Sequence, residues 1–412
     1  MRQANQIDRI FVQHPKGPLT PYVDAFTRQL EEQGYRPSVI ARQTKAVLDF
    51  SGWVVDQERV GSAACTSQHI ERYLRWLSRH RPRRHGIAHT LREFLRLLCQ
   101  QGLIVDPTAS FPATPIDRVI ADYSRYLRQE RNLSPATSAI YLPFVRCFLS
   151  AHFGQDPINF LVLSPANVIE FIRRQAVQHI PSVAKNATSA LRSFLRYLRY
   201  RGAINIDLAA AVPTVASWAL VGIPRAIHAD HARAALAHCR RDTPVGCRDY
   251  AILLLLARLG LRAGEIVSLT LDDIDWQSGN LTVTGKRRQP EPLPLPREVG
   301  EAIVLYLQHG RPKSIDRTLF LRARAPIRRL HGSSAIGSVV RLALARASID
   351  CPHRGTHQFR HALACEMLRQ GATLTEIGAL LRHRSPQTTA LYAKCDLLAL
   401  RTLSLSWPGG AQ

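Results

Sequence analysis

Lysine is the scarce cation in this sequence. Only six of the 55 basic residues are lysine and the other 49 are arginine, so a single arginine indicates little about a site and a single lysine indicates more. Acidic residues are also few, at 31, which leaves a formal net charge of +24 over 412 residues. A positive excess of this size favours a polyanionic partner, nucleic acid first and an anionic membrane surface second.

The sequence also has little that would direct it to a membrane. Residues 1–19 are polar and contain no apolar core of a signal peptide. The least polar stretch, 206–224, contains Asp207 and two prolines, whereas a membrane span needs about 20 uninterrupted apolar residues. The eight cysteines show no paired spacing, which favours free thiols over disulfides. We therefore expect a cytoplasmic protein with no membrane partner.

Residue patterns for metal and nucleotide chemistry are missing too. The carboxylates at 272–275 are not matched by the second group that a two-metal nuclease needs, and there is no Walker-type glycine loop. His357, His361 and Cys365 recur every four residues, as zinc ligands do, but no fourth ligand has suitable spacing. We interpret His361 as structural and expect neither a metal nor a cofactor.

Clusters of proline and glycine divide the chain into segments, and its 46% hydrophobic content excludes disorder for most of it. Apolar residues three and four apart predict helices in the first half. We predict an N-terminal tail (1–20), a first helical bundle (21–112), a second helical bundle (115–210), a linker (211–224), a third domain (225–395) and a C-terminal tail (396–412).

The two predicted bundles resemble each other, which indicates a duplication. Several residues of the first bundle recur one hundred positions later. The recurring residues of the first bundle are Leu91, Arg92, Phe94, Leu95, Arg96, Leu98, Gly102 and Ile104. Upstream, Val47 and Phe50 correspond to Val145 and Phe148 at an offset of 98. Each copy is predicted to be basic on one side.

The third domain is predicted to be mainly helical with one small antiparallel sheet. The run Ile252 to Leu256 is apolar all round and predicts a buried helix. The predicted strands are 274–276, 280–284 and 292–295. The predicted helices farther along are 357–369, which starts after Thr356 and ends at Gly371, and a helix that starts at Ser385-Pro386 and runs through Ala393.

Cationic side chains accumulate in this domain at positions suited to a phosphate. His357 and Arg360 are three residues apart on one helix face. Arg262 precedes Ala263-Gly264-Glu265 at a helix N-terminus, and Lys286 is at the tip of the predicted hairpin.

These motifs together resemble the catalytic domain of the tyrosine recombinases, the phage-integrase type, over about 225–394. The matching segments are Leu259-Gly260-Leu261-Arg262-Ala263-Gly264-Glu265-Ile266, Lys286, His357-Gln358-Phe359-Arg360-His361, and Leu381-Arg382-His383 with Tyr392 nine residues beyond His383. The resemblance implies a mainly α fold: two core-binding-type (SAM-like) helical bundles, the first also DNA-binding, and a mixed α+β catalytic domain. Two features depart from the family pattern. The helical bundle is present twice, unlike in the simplest members of the family, and Arg382 stands where the family usually has glycine.

The resemblance implies a nucleophile and two phosphate clamps. Tyr392 would attack the scissile phosphate and form a 3′-phosphotyrosyl link. Tyrosine, with a pKa of about 10, needs activation for this step. Arg262 and Arg360 would bind the non-bridging oxygens and stabilise the charge of the transition state.

The remaining implied roles concern proton transfer and DNA contact. Lys286 would protonate the leaving 5′-oxygen, and its neighbours Arg287 and Arg288 would compete for that role or contact DNA. His357 would act as general acid/base near the tyrosine, and His383 would hydrogen-bond the phosphate. Neither ATP nor a metal would be required.

The sequence therefore predicts a nucleoid-associated, site-specific DNA recombinase or integrase of a mobile element. It would act on double-stranded DNA as a homotetramer on two sites, with or without sister recombinases. The alternatives are a type IB topoisomerase-like relaxing enzyme, an inactive DNA-binding regulator of the same fold and a nonspecific basic protein. The leucine-rich tail would form a helix that packs on its own domain or on a neighbouring protomer.

Overall fold

The computed structural model of the protein describes residues 17–58, 67–80, 86–104, 114–154, 156–215, 226–285, 289–351, 353–383 and 385–395. The chain divides into two compact units. One consists of Met1–Gln101 and Leu220–Gln412, and the other of Gly102–Ala219. The predicted tail 396–412 and most of the predicted linker, from 216 on, lie outside the described residues.

The first helical bundle comes first among the described residues. After a 3-10 turn at Thr20–Tyr22 come four helices. They are α1 (Val23–Glu32), α2 (Pro37–Trp53), α3 (Ser67–His80) and α4 (Ile87–Gln100), with a π-turn at Val54–Glu58 after α2. Phe26 of α1 and Phe94 of α4 meet edge to face, with ring centroids 5.3 Å apart, and both are buried.

The second bundle also has four helices, each with proline in its first turn. They are α5 (Pro115–Gln129), α6 (Pro135–Phe153), α7 (Pro165–Gln178) and α8 (Pro181–Tyr200), with a 3-10 turn at Phe160–Val162. The fixed φ of proline suits the first helical turn, where its missing N–H has no helical partner. Thr114 with Asp117 and Ser164 with Asn167 form capping boxes at α5 and α7, which explains where these helices start.

Residues at corresponding positions of the two similar bundles are equally buried. Leu91 and Phe94 of α4 and their counterparts Leu191 and Phe194 of α8 are all at most 1% exposed. The same holds for the upstream pairs, since all four residues are fully buried: Val47 and Phe50 of the first bundle, and Val145 and Phe148 of the second. The matched burial supports the proposal that the two bundles arose by duplication.

The C-terminal half contains the remaining elements. The helices are α9 (Ala229–Ala237), α10 (Pro244–Arg258), α11 (Ala263–Ser268), α12 (Arg297–Leu305), α13 (Gly332–Arg346), α14 (His357–Arg369), α15 (Leu374–Leu380) and α16 (Pro386–Ala390). The strands are β1 (Ile274–Asp275), β2 (Asn280–Thr284) and β3 (Pro290–Pro294), in the order β1-β2-β3 with antiparallel pairing. Shorter turns are a 3-10 turn at Leu271–Asp273, a π-turn at Tyr306–Gly310 and a 3-10 turn at Leu391–Cys395.

Helix α10 forms the centre of this half. Its residues Ile252 to Leu256 are all 0% exposed, as their all-round apolar pattern predicts. Strand β3 carries three prolines, and it lies at an edge of the sheet, where a residue without an N–H is tolerated. The mainly helical fold with one small antiparallel sheet is therefore confirmed.

The predicted helix starts are close to those observed. Thr356 and Ser385 stand at the N-cap positions of α14 and α16, although neither side chain caps its helix through a hydrogen bond to a described group. Gly371 has φ +90° just after α14, which is the left-handed conformation that ends a helix. The last helix was predicted too long: α16 ends at Ala390, and the chain continues as a 3-10 turn that carries Tyr392.

The first bundle contacts the C-terminal half within their shared unit. The backbone N–H of Ile327 donates a hydrogen bond to the carbonyl of Gln33 at 2.8 Å. Ile327 also packs against Gly34, where a Cβ would meet its side chain at 2.7 Å.

Two further expectations can be compared with the described residues. No helix among them is long and apolar enough to cross a membrane. Among the described cysteines, five form no disulfide and Cys365 is disulfide-bonded, so the preference for thiols over disulfides was wrong at Cys365.

Candidate active site

Three elements bring most of the predicted site residues together. Helix α14 carries His357 and Arg360, the N-terminus of α11 begins at Arg262, and the segment after α15 supplies His383 and Tyr392. Arg360 and Arg262 both act electrostatically on the Tyr392 hydroxyl, and the rings of His383 and Tyr392 stack with centroids 6.1 Å apart. The structure therefore collects two guanidinium groups, an imidazole and a phenol in one place.

Arg360 is a buried cation with only 3% of its surface exposed. Its Nη1 donates to the carbonyl of Gly260 and its Nη2 to the carbonyl of Leu381, so the guanidinium is held by backbone on two sides. Gly260 has φ +56°, and a Cβ there would meet the Leu381 side chain at 2.7 Å, so glycine is needed at this turn. Burial, and then the charges of Arg262 and Arg382, lower the pKa of Arg360 to about 10, and the side chain remains a cation at neutral pH.

Arg262 is held at the start of α11 by Glu265. Its backbone N–H donates to Oε2 of Glu265 at 2.8 Å and its Nη1 donates to Oε1 at 2.7 Å. The Arg262 side chain is 34% exposed and Glu265 only 5%, so the carboxylate is buried and the guanidinium retains an accessible side. Burial opposes the charge of Glu265, but the backbone bond from Arg262 and the charge of Arg382 outweigh it and lower the carboxyl pKa.

His383 is fixed by the helix that follows it. Its Nδ1 lies 2.9 Å from Oγ1 of Thr389, which is 2% exposed and belongs to α16. Burial, followed by the charges of Arg360 and Arg262, lowers the pKa of His383 to about 4. The imidazole is therefore neutral at pH 7 and able to accept or donate one hydrogen bond at Nε2.

Tyr392 is 2% exposed and contacts a histidine that the sequence analysis interpreted as structural. The Nδ1 atom of His361 lies 3.0 Å from the Tyr392 hydroxyl. Burial, then the charges of His357 and Arg360, lower the pKa of His361 to about 4, so its ring is neutral at pH 7. In the tautomer with the ring proton on Nε2, the Nδ1 atom can accept the phenol proton of Tyr392. Burial raises the pKa of Tyr392, and the charges of Arg360 and Arg262 oppose that rise.

The remaining predicted residues have other positions. His357 is exposed, and its ring centroid lies 6.2 Å from that of His361, whose own centroid lies 5.6 Å from that of the Tyr392 ring. Lys286, Arg287 and Arg288 lie outside the described residues, in the connection between β2 and β3. Within the described ranges, no group of three or more histidines, cysteines and carboxylates could hold a metal ion.

Sequence reasoning missed three side chains that complete this site. Glu265 follows Arg262 by three residues, which is the spacing of a capping box and could have identified it. His361 lies one residue beyond Arg360, and its contact with Tyr392 depends on packing across 31 residues of chain. Arg382 was noted as a departure from glycine, but its side-chain partner, Glu265, is 117 residues away in sequence.

Comparisons with known proteins agree on one family. Residues 225–397 match the model of the phage integrase family. The chain is 47% identical over 399 residues to a Sinorhizobium fredii protein that carries the name integrase/recombinase y4rA, covering 97% of each chain. It is 30% identical over 278 residues to the tyrosine recombinase XerD of Lacticaseibacillus casei, covering 66% of this chain and 92% of XerD.

The fold is also that of a solved recombinase. The crystal structure of the XerH site-specific recombinase bound to palindromic difH substrate, in a post-cleavage complex, has a TM-score of 0.57 with this chain. The match covers 77% of this chain and 94% of XerH at 16% sequence identity. At this identity the likeness concerns the fold alone.

Proposed function

The chain belongs to the phage integrase family of tyrosine recombinases, and from that premise we propose that it cuts and rejoins DNA strands through a covalent 3′-phosphotyrosyl intermediate at Tyr392. The observation that carries the proposal is the Tyr392 hydroxyl, which lies 3.0 Å from a neutral His361 and near the charges of Arg360 and Arg262. A nucleophile, a proton acceptor and two anion-binding groups are thereby combined at one point.

In the cleavage step, the Tyr392 oxygen bonds to the phosphorus of one DNA strand and the bond from phosphorus to the 5′-oxygen breaks. His361 is the group placed to take the phenol proton, with His357 as the next histidine along the same helix face. Lys286 is proposed, on the sequence alone, to give a proton to the departing 5′-oxygen. The 3′ strand end stays on the protein as a phosphodiester.

The arginines supply the charge stabilisation of this step. Arg262 and Arg360 bind the non-bridging oxygens, and His383 donates a further hydrogen bond from Nε2. Because Arg360 is already fixed by two carbonyls and Arg262 by Glu265, little reorganisation is needed when the phosphate arrives. The guanidinium groups perform the role that a metal ion has in other phosphoryl transfer enzymes.

Strand joining is the reverse of cleavage. A 5′-hydroxyl of the same or another strand attacks the phosphotyrosine, the new P–O bond forms and Tyr392 regains its proton. The phosphodiester energy is conserved in the intermediate, so the reaction needs no ATP. Exchange occurs when the attacking hydroxyl comes from a second duplex.

The partner is double-stranded DNA, and the chain acts as a homotetramer on two sites. The formal charge of +24 supports binding to the phosphate backbone through counterion release. Exchange between two duplexes breaks four strands, and each protomer supplies one Tyr392, so four protomers are needed.

We assign this activity to a mobile element. The 47% identical relative is named an integrase/recombinase, which supports the assignment. Sequencing the DNA beside the gene tests it, because inverted repeats or neighbouring recombinase genes mark such an element. Flanks without either feature would contradict it.

The decisive experiment is a covalent trapping assay with Tyr392→Phe. The substrate is a nicked duplex that carries a site selected by the protein from a random-sequence DNA library, incubated in EDTA without nucleotide. Wild-type protein should accumulate a covalent adduct that protease removes, and Tyr392→Phe should form none while it binds the duplex with unchanged affinity. Phenylalanine retains the ring that packs against His383, so the fold is kept.

Tyr250→Phe is the matched control, because Tyr250 is a tyrosine of the same unit that stacks on Arg241. This variant should form adducts at the wild-type rate. Adducts that persist in Tyr392→Phe would overturn the nucleophile assignment, and adducts that require added metal or ATP would overturn the proposed independence of both.

A further inference from the structure

Arg382 occupies a backbone conformation that glycine normally provides. Its φ is +53°, within the left-handed region that L side chains rarely adopt. The recombinases that this sequence resembles usually have glycine here, directly before the histidine that corresponds to His383. The chain thus keeps the backbone turn of the family and adds a long charged side chain to it.

That side chain is directed into the active site and buried there. Arg382 is 8% exposed, and its Nη2 donates to Oε2 of Glu265 at 2.7 Å. A second carboxylate, that of Glu291 in β3, lies 3.9 Å from Nε and is 51% exposed. Nη1 lies 3.4 Å from the carbonyl of Leu380. The buried ion pair with Glu265 is therefore the principal contact of the guanidinium.

Glu265 is also the carboxylate that holds Arg262. Oε1 accepts from Arg262 Nη1 at 2.7 Å, while Oε2 accepts from both the Arg262 backbone N–H and Arg382 Nη2. Each oxygen has its own guanidinium partner, which fixes the plane of the carboxylate and hence the direction of Arg262. Without Arg382, Arg262 would be the sole guanidinium partner of Glu265 among the described contacts, and Oε2 would be held by the Arg262 backbone N–H alone.

The same turn is connected to the second phosphate clamp. The carbonyl of Leu381, the residue before Arg382, accepts a hydrogen bond from Arg360. Arg382 thus lies in a turn whose backbone holds Arg360 and whose side chain reaches the partner of Arg262. Both arginines that bind phosphate in the proposed mechanism depend on this turn.

We propose that Arg382 is a positioning residue for cleavage, which shares Glu265 with Arg262 and so orients the Arg262 guanidinium toward the scissile phosphate. The inference rests on the proposed function, since it assigns Arg262 to the phosphate. It also explains why this chain tolerates an arginine at a position of positive φ: the ion pair compensates for the conformational strain.

The test compares Arg382→Gly and Arg382→Lys in single-turnover cleavage of the nicked duplex used for Tyr392. Glycine accepts the observed φ without strain, so Arg382→Gly removes the side chain and leaves the turn able to form. We expect its cleavage rate to fall about 10- to 100-fold, the loss that a small misplacement of a catalytic group produces, while its affinity for the duplex changes less than about threefold. Lysine retains one charge toward Glu265 and should restore part of the rate.

A double-mutant cycle identifies the route of the effect. If Arg382 acts through Glu265, then Arg382→Gly should slow the Glu265→Gln variant by less than about twofold, although it slows the wild type strongly. A residue that only stabilises the fold would reduce the rate of both backgrounds by the same factor and would lower the thermal midpoint. The exposed pair Arg317 and Asp272 provides the control, and Arg317→Ala should leave cleavage unchanged.

The outcomes separate this inference from the proposed function. Wild-type adducts together with a wild-type rate in Arg382→Gly would overturn the positioning role and leave the nucleophile assignment intact. Equal factors in the two backgrounds would overturn the route through Glu265. Failure of the wild type to form any adduct would overturn the proposed function and this inference with it.

Discussion

The guanidinium of Arg360 illustrates how a cation is retained inside the site. Burial alone disfavours the charge, and the nearby Arg262 and Arg382 disfavour it further. The pKa nevertheless stays at about 10, because electrostatic interactions with Tyr392 and Glu265 oppose the decrease and the group starts from a very high value. A lysine with its lower intrinsic pKa would lose its charge more readily here, which gives a physical reason for arginine.

The two neutral histidines predict how stability changes with pH. His361 and His383 have pKa values of about 4 in the folded protein, against 6.5 for an ordinary histidine. Between about pH 4 and 6.5 the unfolded chain therefore binds more protons than the folded one, and the free energy of unfolding falls as the pH is lowered through this window. Above pH 6.5 both states are neutral at these groups and the contribution is constant.

Urea unfolding at pH 7 and pH 5 measures this effect. The wild type should be less stable at pH 5, and His361→Gln and His383→Gln should each lose a smaller part of their stability over the same interval. His353→Gln, a substitution at an exposed histidine of the same unit, should behave like the wild type. An identical pH dependence in all four proteins would rule out these two side chains as its source.

At the scale of elements, the site depends on short irregular segments. The turn at Leu381-Arg382-His383 and the 3-10 turn Leu391–Cys395 carry an arginine contact, an imidazole and the proposed nucleophile, Tyr392, within 15 residues. A left-handed residue other than glycine costs roughly 1–2 kcal/mol. The buried Arg382–Glu265 pair offsets that cost, so a strained turn can be retained beside the reacting groups.

The buried helix α10 is the element on which this half of the molecule is built. Leu254 is 0% exposed, so Leu254→Ala should lower the free energy of unfolding by about 2–5 kcal/mol through lost burial and the cavity left behind. Leu342→Ala is the matched substitution on α13, where the leucine is 59% exposed, and it should change stability by less than about 0.5 kcal/mol. Equal effects on the urea midpoint would contradict the central position of α10.

At the scale of the whole molecule, the proposed tetramer gives a direct prediction. Tyr392→Phe mixed with duplexes that carry the selected site should form complexes of four chains and two duplexes, because assembly does not require cleavage. Mass photometry measures their mass. A protein that stays monomeric on DNA and relaxes supercoiled plasmids would instead be a type IB topoisomerase-like enzyme.

The domain boundaries are also a proposal about the whole molecule. The sequence predicts six segments from 1–20 to 396–412, and the α-helices observed lie within the three long ones, 21–112, 115–210 and 225–395. When the chain is divided into compact units, the first bundle and the C-terminal half fall in the same unit, and the hydrogen bond between Ile327 and Gln33 joins them. We propose that the two bundles are nevertheless copies of one ancestral unit, since their paired core positions have equal burial.

The sequence by itself determined the family and the fold class, and it identified most of the residues proposed for the site. Helix periodicity and the apolar run at Ile252 to Leu256 are local patterns, and short-range physics is sufficient to interpret them. Arg262, Arg360, His383 and Tyr392 were identified through the motifs that the sequence shares with the tyrosine recombinases. Burial of the α10 run followed directly from its all-round apolarity. The sequence also marked Arg382 as a departure from the family's glycine, but it predicted no turn there.

Only the tertiary structure decided which groups touch. Four hydrogen bonds of the site join residues that are 21 to 117 positions apart in sequence. They connect His361 with Tyr392, Arg382 with Glu265, and Arg360 with the carbonyls of Gly260 and Leu381. Such contacts depend on how α11, α14 and the last turns pack, and no local pattern encodes a hydrogen bond across that separation. Sequence therefore identified the residue types proposed to react, and packing selected the histidine beside Tyr392 and the carboxylate partner of Arg382.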